Sequence, residues 1–221
     1  MCQFLSAIVM RNHDVLFNLQ TDSHEDLIAL HNLRDNRDGN FARVEFHPNE
    51  PTDLDKPDKY HLTIDEQRCP GWFDQDLKDK VAQRLLGVVR SMLITGDATC
   101  LIGGAYILAT GAKVSFIKNC RIVAMLDSSN VGEMLDSSKV GEMRGSSNVG
   151  EMRGSSNVGT MWDGSKVGEM RDSSNVGTMW DSSKVVTMLD SSNVGTMWGS
   201  SNVGEMRGSS KAPKQPTIDN R

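Results

Sequence analysis

The sequence contains few aromatic residues and no long apolar segment. Aromatic side chains make up 5% of the 221 residues and hydrophobic residues 38%, which is little for a chain built throughout around one conventional core. No run approaches the ~18 apolar residues of a membrane helix. The apolar stretch at residues 4–10 lacks the basic flank of a signal peptide. We therefore expect a protein without a membrane partner or a secretion signal.

The four cysteines form no CxxC pair and no zinc-site spacing. They are Cys2, Cys69, Cys100 and Cys120. Scattered thiols are typical of a reducing compartment, so we expect a cytoplasmic protein. The net charge is −5, and acidic and basic residues are interspersed without a basic block. A nucleic-acid partner is not expected, because such partners require clustered Lys and Arg.

A nine-residue repeat dominates the second half of the sequence. Met recurs every nine residues from Met125 to Met206, and Val keeps the same step from Val131 to Val203. The consensus is M-x-[DG]-S-S-[NK]-V-G-[ET], in which Asp, Ser, Asn and Gly favour turns and the V-G-x-M segment can run extended. A unit this short buries its apolar residues only by stacking on its neighbours, so the repeat predicts a β-solenoid.

The residues beside Met have a second period of eighteen. In alternate repeats Thr precedes Met and Trp follows it, whereas the other repeats mostly read Glu-Met-Arg. The members of the first two rows are Thr160, Trp162, Thr178, Trp180, Thr196 and Trp198. We predict two strands per coil with Met inward and these flanking rows outward. Strict alternation of side chains along the strand would also place Val on the outer surface, whereas a bend of the chain at Gly would turn Val inward.

In repeat length the consensus resembles the nonapeptide-repeat β-solenoids of RTX type, which also place two nonapeptides in each coil. The resemblance implies the solenoid architecture alone. The calcium motif of that family, G-G-x-G-x-D-x-U-x, is missing, and Gly replaces Asp at Gly145, Gly154, Gly199 and Gly208. We therefore expect no calcium, and more generally no cofactor and no metal.

The residues before the repeat are typical of an α+β domain. Alternation predicts strands at residues 4–10, 15–19, 41–47 and 60–65, the first two joined as a hairpin. Ser23 is a candidate N-cap for a helix from His24 to about Leu33. A second helix follows Pro70, with apolar residues at steps of three and four: Phe73, Leu77, Val81, Leu85, Val88 and Met92.

The phase of the repeat sets the boundary between the two parts. Counting back places Phe116 and Ile107 on the Met row and Ile122 on the Val row. We therefore predict an α+β domain at residues 1–106, a solenoid at 107–210 and a flexible tail at 211–221. The first domain would cap the solenoid, whose terminal strands otherwise expose unpaired backbone groups.

Two groups of residues in the first domain are candidates for catalysis. Cys2 becomes an N-terminal nucleophile if the initiator Met is removed, although a buried strand thiol is the simpler interpretation. His24 and His31 lie seven residues apart on one predicted helix face, with Asp35 one turn further on. His47 and His61 lie on strands that could converge on them, forming an acid–base or metal site, although solvated histidines are the simpler alternative.

The Thr and Trp rows are the sharpest functional feature of the sequence. Stacked indoles beside hydroxyls can bind a sugar, a base or a protein surface, or they can pack on one another. We therefore expect a non-catalytic interaction or scaffold protein that binds a protein partner or a second copy of itself. The alternative is an enzyme whose site, at Cys2 or at His24 and His31, lies in residues 1–106.

Overall fold

The computed structural model describes residues 4–34, 39–65 and 69–213, and it divides the chain into two units between Met92 and Leu93. The first unit is a small antiparallel sheet with two α-helices, and the second is a β-solenoid. This is the α+β domain followed by a β-solenoid that the sequence predicts. Cys2, Asp35 and the end of the predicted tail, from residue 214 onward, lie outside the described residues.

The first unit pairs four strands in the order β2-β1-β3-β4. Its elements are β1 (Leu5–Met10), β2 (Val15–Phe17), α1 (His24–Leu30), β3 (Phe41–Pro48), β4 (Tyr60–Ile64) and α2 (Gln75–Met92), with 3-10 turns at Pro51–Asp53 and Pro57–Lys59. Ser23 caps α1 as predicted, because its Oγ accepts the Asp26 N–H at 3.2 Å. The helix ends earlier than expected, since Asn32 takes a left-handed φ of 51°.

Apolar side chains fill both helix interfaces of the first unit. Leu27 of α1 packs with Ile8 and Phe41 of the sheet. The buried residues of α2 are Leu77, Val81, Leu85, Val89 and Met92. Val89 takes the position predicted for Val88, which is half-buried, because a step of four follows Leu85 on a helix of 3.6 residues per turn.

The solenoid consists of two parallel seven-stranded sheets, and successive strands alternate between them. One sheet, here called the Trp sheet, contains β5 (Leu93–Ile94), β7 (Ala105–Leu108), β9 (Arg121–Met125), β11 (Lys139–Met143), β13 (Asn157–Met161), β15 (Asn175–Met179) and β17 (Asn193–Met197). The other, the Arg sheet, contains β6 (Asp97–Ile102), β8 (Lys113–Lys118), β10 (Asn130–Leu135), β12 (Asn148–Met152), β14 (Lys166–Met170), β16 (Lys184–Met188) and β18 (Asn202–Met206).

The strand register confirms the eighteen-residue coil. Val131 pairs with Val149 in the Arg sheet, and Val140 pairs with Val158 in the Trp sheet. Each pair is eighteen residues apart in sequence, so identical residues stack from coil to coil. Two strands per coil is therefore the observed arrangement.

Val and Met both point into the solenoid core. Within β12, Val149 and Met152 are both fully buried although they lie three residues apart, so the strand alternation is broken between them. Gly150 occupies the break, and a Cβ there would lie only 2.5 Å from the carbonyl oxygen of Gly132 in the neighbouring coil. The same two side chains are buried in β16, where Val186 takes the Gly position, so the inward turn belongs to the coil and does not require Gly.

The Asp or Gly position of the repeat is a turn residue with positive φ. Asp163 and Asp172 have φ of 55° and 56°, and Gly154 has 68°. Asp and Gly are among the residues that tolerate this conformation best, which is why they exchange freely there. The Asp172 carboxylate also accepts the Gly154 N–H of the adjacent coil at 2.8 Å. These acidic residues therefore stabilise the turns of the solenoid.

The first coils lie one residue out of the predicted phase. Met134 pairs with Ile117, not with Phe116, and Met125 pairs with Leu108, not with Ile107. The phase slips because β8 and β9 are joined by a turn one residue shorter than those of the later repeats. Ile122 lies on the Val row as predicted.

The solenoid strands also begin earlier than residue 107. Leu93 pairs with Ile107, and Asp97 pairs with Lys113, so the first strands of both sheets precede the predicted boundary. These strands carry inward apolar residues without the M-x-D-S-S motif, which conceals them in the sequence. At the other end, Lys211 forms a parallel bridge with Asn193.

Candidate functional site

Three indoles form a continuous stack along the Trp sheet. Each of the three residues, Trp162, Trp180 and Trp198, follows a strand of that sheet. The backbone N–H of Trp180 donates to the Met161 carbonyl at 2.9 Å. The ring centroids of Trp162 and Trp180 are 5.4 Å apart, and those of Trp180 and Trp198 are 5.6 Å apart, with interplanar angles of 8° and 16°. We call these three residues the indole row.

Stacking determines which parts of the indoles can meet a ligand. Both faces of Trp180 are directed at neighbouring rings, at centroid distances typical of offset stacking. Trp198 ends the row and is 42% exposed, whereas Trp162 and Trp180 are half-buried. Trp180 therefore offers only its ring edges to a ligand, whereas Trp162 and Trp198 each have an indole on one face only.

The Thr row lies beside the indole row on the same outer surface. Thr160 pairs with Thr178, and Thr178 pairs with Thr196, in register across β13, β15 and β17. Thr160 and Thr178 are half-buried and Thr196 is exposed. The structure thus brings all six predicted surface residues together.

The three Trp-bearing strands have identical sequences, Asn-Val-Gly-Thr-Met. With Val and Met inward, the residues left on the outer surface are Asn, Gly, Thr and the following Trp. None of these carries a charge. The corresponding strands of the Arg sheet read Lys-Val-Gly-Glu-Met, Lys-Val-Val-Thr-Met and Asn-Val-Gly-Glu-Met. The solenoid therefore has one uncharged outer sheet surface and one charged surface over the same coils.

Ion pairs join Glu and Arg side chains on the charged surface. The Arg153 Nε donates to Glu151 at 2.7 Å, and the Arg171 Nε lies 2.7 Å from the same carboxylate across the coil boundary. The hydrogen bond from Arg153 is the main cause that lowers the pKa of Glu151 below its usual value. Pairs this exposed contribute about 0–1 kcal/mol each. Glu and Arg side chains of this surface are thus already paired with one another.

His24 and His31 lie at the two ends of the short helix α1. His24 is the first helical residue and is 2% exposed, whereas His31 follows the last turn and is exposed. The His24 Nε2 lies 3.1 Å from the Val44 carbonyl oxygen, and its Nδ1 lies 3.1 Å from the Asp65 Oδ2. The polar partners of His24 are therefore on the sheet.

Glu45 joins His24 and Asp65 in one cluster. One ligand atom from each of these three residues lies within 4.8 Å of the others. Glu45 is on β3, and Asp65 follows the end of β4. Neither carboxylate was predicted: the partners expected for His24 were His31 and Asp35 along the helix and His47 and His61 on the strands.

The two strand histidines contact each other. His47 and His61 are directly paired across β3 and β4, with ring centroids 4.2 Å apart. The His47 Nδ1 lies 3.1 Å from the Pro48 carbonyl, and its Nε2 lies 3.3 Å from the Thr63 hydroxyl. Burial, followed by the neighbouring His47, lowers the pKa of His61 from its usual value.

Comparisons with protein-family models, with characterised proteins and with solved structures give no match for this chain. Over the residues that the structure describes, none of the helices has the length and apolar character required to cross a bilayer.

Proposed function

We propose that the solenoid is a non-catalytic interaction module whose contact surface is the indole row together with the Thr row. Its partner is a protein surface, either another protein or a second copy of this chain. The observation that carries the proposal is the uncharged outer surface of the three identical strands β13, β15 and β17. The centres of protein interfaces are depleted of charge and enriched in Trp, which matches this surface.

The rigidity of the indole row supports the same proposal. Trp180 is held between two rings, and its backbone N–H is bonded to the Met161 carbonyl. A side chain that is already ordered loses little conformational entropy when a partner covers it, so more of the contact energy appears as affinity. Large rigid aromatic side chains are efficient anchors for this reason.

The direction of the rings favours a protein partner over a sugar or a base. Those ligands bind by stacking on an open aromatic face. In the indole row the faces of Trp180 are directed at Trp162 and Trp198. A protein surface can instead pack along the ring edges and donate to or accept from the Thr hydroxyls.

A reducing compartment such as the cytoplasm is part of the proposal. Cys69, Cys100 and Cys120 are free thiols, and Cys69 and Cys100 are exposed. Exposed thiols persist where disulfide formation is suppressed. Burial raises the pKa of Cys120 to about 11, which leaves little of the reactive thiolate at neutral pH.

The decisive experiment compares the two sheets of the same solenoid. One variant combines Trp162→Ala, Trp180→Ala and Trp198→Ala, and the matched control combines Arg153→Ala, Arg171→Ala and Arg207→Ala. Sedimentation velocity over a range of concentrations measures self-association. A photo-crosslinking residue at Thr178, with a control at Glu169, identifies a different protein partner in native extract.

We expect the complex to be lost in the Trp variant and kept in the Arg variant, and crosslinks to form from position 178 only. A Trp variant that stays folded by circular dichroism and binds as the wild type does would refute the proposal, as would equal crosslinking from both positions.

A further inference from the structure

The first unit contains a cluster of three potential metal ligands. It consists of His24 at the start of α1, Glu45 on β3 and Asp65 after β4. Within residues 4–34, 39–65 and 69–213 no other group of three His, Cys, Asp or Glu side chains places its ligand atoms this close together. The three residues come from three different elements, so only the fold assembles them.

The orientation of His24 is fixed by the backbone of β3. A carbonyl oxygen can only accept, so the Nε2 that lies 3.1 Å from the Val44 oxygen carries the proton of that hydrogen bond. The other ring nitrogen, Nδ1, is directed at Glu45 and Asp65. Metal-binding histidines are commonly held in this way, with one N–H donating to a backbone carbonyl and the other nitrogen directed at the metal.

The contact between His24 and Asp65 requires a positive charge between the two atoms. The Nδ1 lies 3.1 Å from the Asp65 Oδ2, and a nitrogen lone pair facing a carboxylate oxygen at this distance would be repulsive. Either a proton or a metal cation satisfies the pair. The Glu45 carboxylate, within 4.8 Å of the other ligand atoms, supplies a second negative charge and favours a divalent ion.

We propose that His24, Glu45 and Asp65 bind a divalent transition-metal ion, and that Zn²⁺ is the best match. Zn²⁺ takes imidazole nitrogen and carboxylate oxygen at about 2.0–2.2 Å, whereas Mg²⁺ and Ca²⁺ prefer oxygen alone. Two ligands of a tetrahedral ion at these bond lengths lie about 3.4 Å apart, close to the observed separation of His24 and Asp65.

The exposed side of the cluster can adjust to the ion. The Asp65 side chain is 56% exposed, so its carboxylate can move by a few tenths of an ångström, while His24 stays fixed. A solvent molecule would complete the coordination on the exposed side. The ion would tie α1 to both strands, so its binding would add to the stability of the first unit.

Calorimetric titration of the full chain with Zn²⁺, after treatment with a chelator, tests the site. Asp65→Asn and Glu45→Gln each remove one ligand charge, and Asp65 is exposed enough for its variant to fold. Glu25→Gln is the matched control, because Glu25 lies close enough to affect His24 electrostatically but is not part of the cluster. Titration with Mg²⁺ tests the preference for a nitrogen ligand.

We expect Zn²⁺ to bind the wild type and Glu25→Gln with one strong site, and to bind the two ligand variants at least 10-fold more weakly. We also expect Zn²⁺, but not Mg²⁺, to raise the melting temperature of the first unit. The absence of Zn²⁺ binding would show that a proton alone joins His24 to Asp65 and would overturn the proposal. Equal binding by all variants would place the ion elsewhere, for example at His47 and His61, and would overturn it too.

Discussion

Trp162 and Trp180, eighteen residues apart in the sequence, stack with their ring centroids 5.4 Å apart and their planes inclined by 8°. Trp198 continues the stack at 5.6 Å from Trp180. Trp180 is therefore the only member of the row with an indole on both sides.

This position makes Trp180 the most important ring for stability. Trp180→Ala removes two stacked pairs, each contributing about 0.5–1.5 kcal/mol beyond buried area, whereas Trp198→Ala removes one. We expect the Trp180 variant to lose more unfolding free energy in urea than the Trp198 variant. Near-ultraviolet circular dichroism should also lose the coupled indole signal in the first variant and keep part of it in the second. Equal losses would mean that the stack adds no stability.

The eighteen-residue coil predicts which deletions the solenoid tolerates. Deleting residues 163–180 removes β14 and β15 together, so the remaining strands keep their sheets and Trp162 stacks on Trp198. Deleting residues 163–171 removes β14 alone and moves Trp180 to the Arg sheet. We expect the longer deletion to keep a cooperative thermal melt and the coupled indole signal of a stacked pair. The shorter deletion should leave Trp162 without its neighbour and move the stacked pair of Trp180 and Trp198 to the Arg sheet, so the thermal melt distinguishes the two variants. An unfolded longer deletion would contradict the coil.

The left-handed turn position predicts an unusual order of substitutions at Gly154. Its φ is 68°, and a Cβ there would lie 3.1 Å from the Asp136 Cα of the adjacent coil. Gly154→Ala should cost about 1–2 kcal/mol, because Ala has no side-chain group that favours this conformation. Gly154→Asp should cost less, since Asp136 and Asp172 occupy the same row with φ of 57° and 56°. Urea unfolding measures the difference, and equal losses would show that crowding, not φ, sets the cost.

The repeat itself determined the solenoid. A nine-residue period with Asp, Ser, Asn and Gly at the turns is long enough for one short strand per repeat. The alternation of Trp with Glu-Met-Arg indicates that two such strands form one coil. Because identical residues must stack to bury Met and Val, the outer rows followed directly from the eighteen-residue spacing. The grouping of the six Thr and Trp residues on one surface could therefore be predicted before any coordinates.

The tertiary structure alone decided the features that depend on contacts between distant or irregular segments. The burial of both Val149 and Met152 on one strand depends on the backbone path of the coil, and the stacking of Trp180 between two rings depends on actual ring orientation. The clustering of His24 with Asp65 depends on how α1 lies on the sheet. The period of the sequence predicts which residues share a row of the solenoid. It carries no information about the contacts that each side chain makes with residues outside that row.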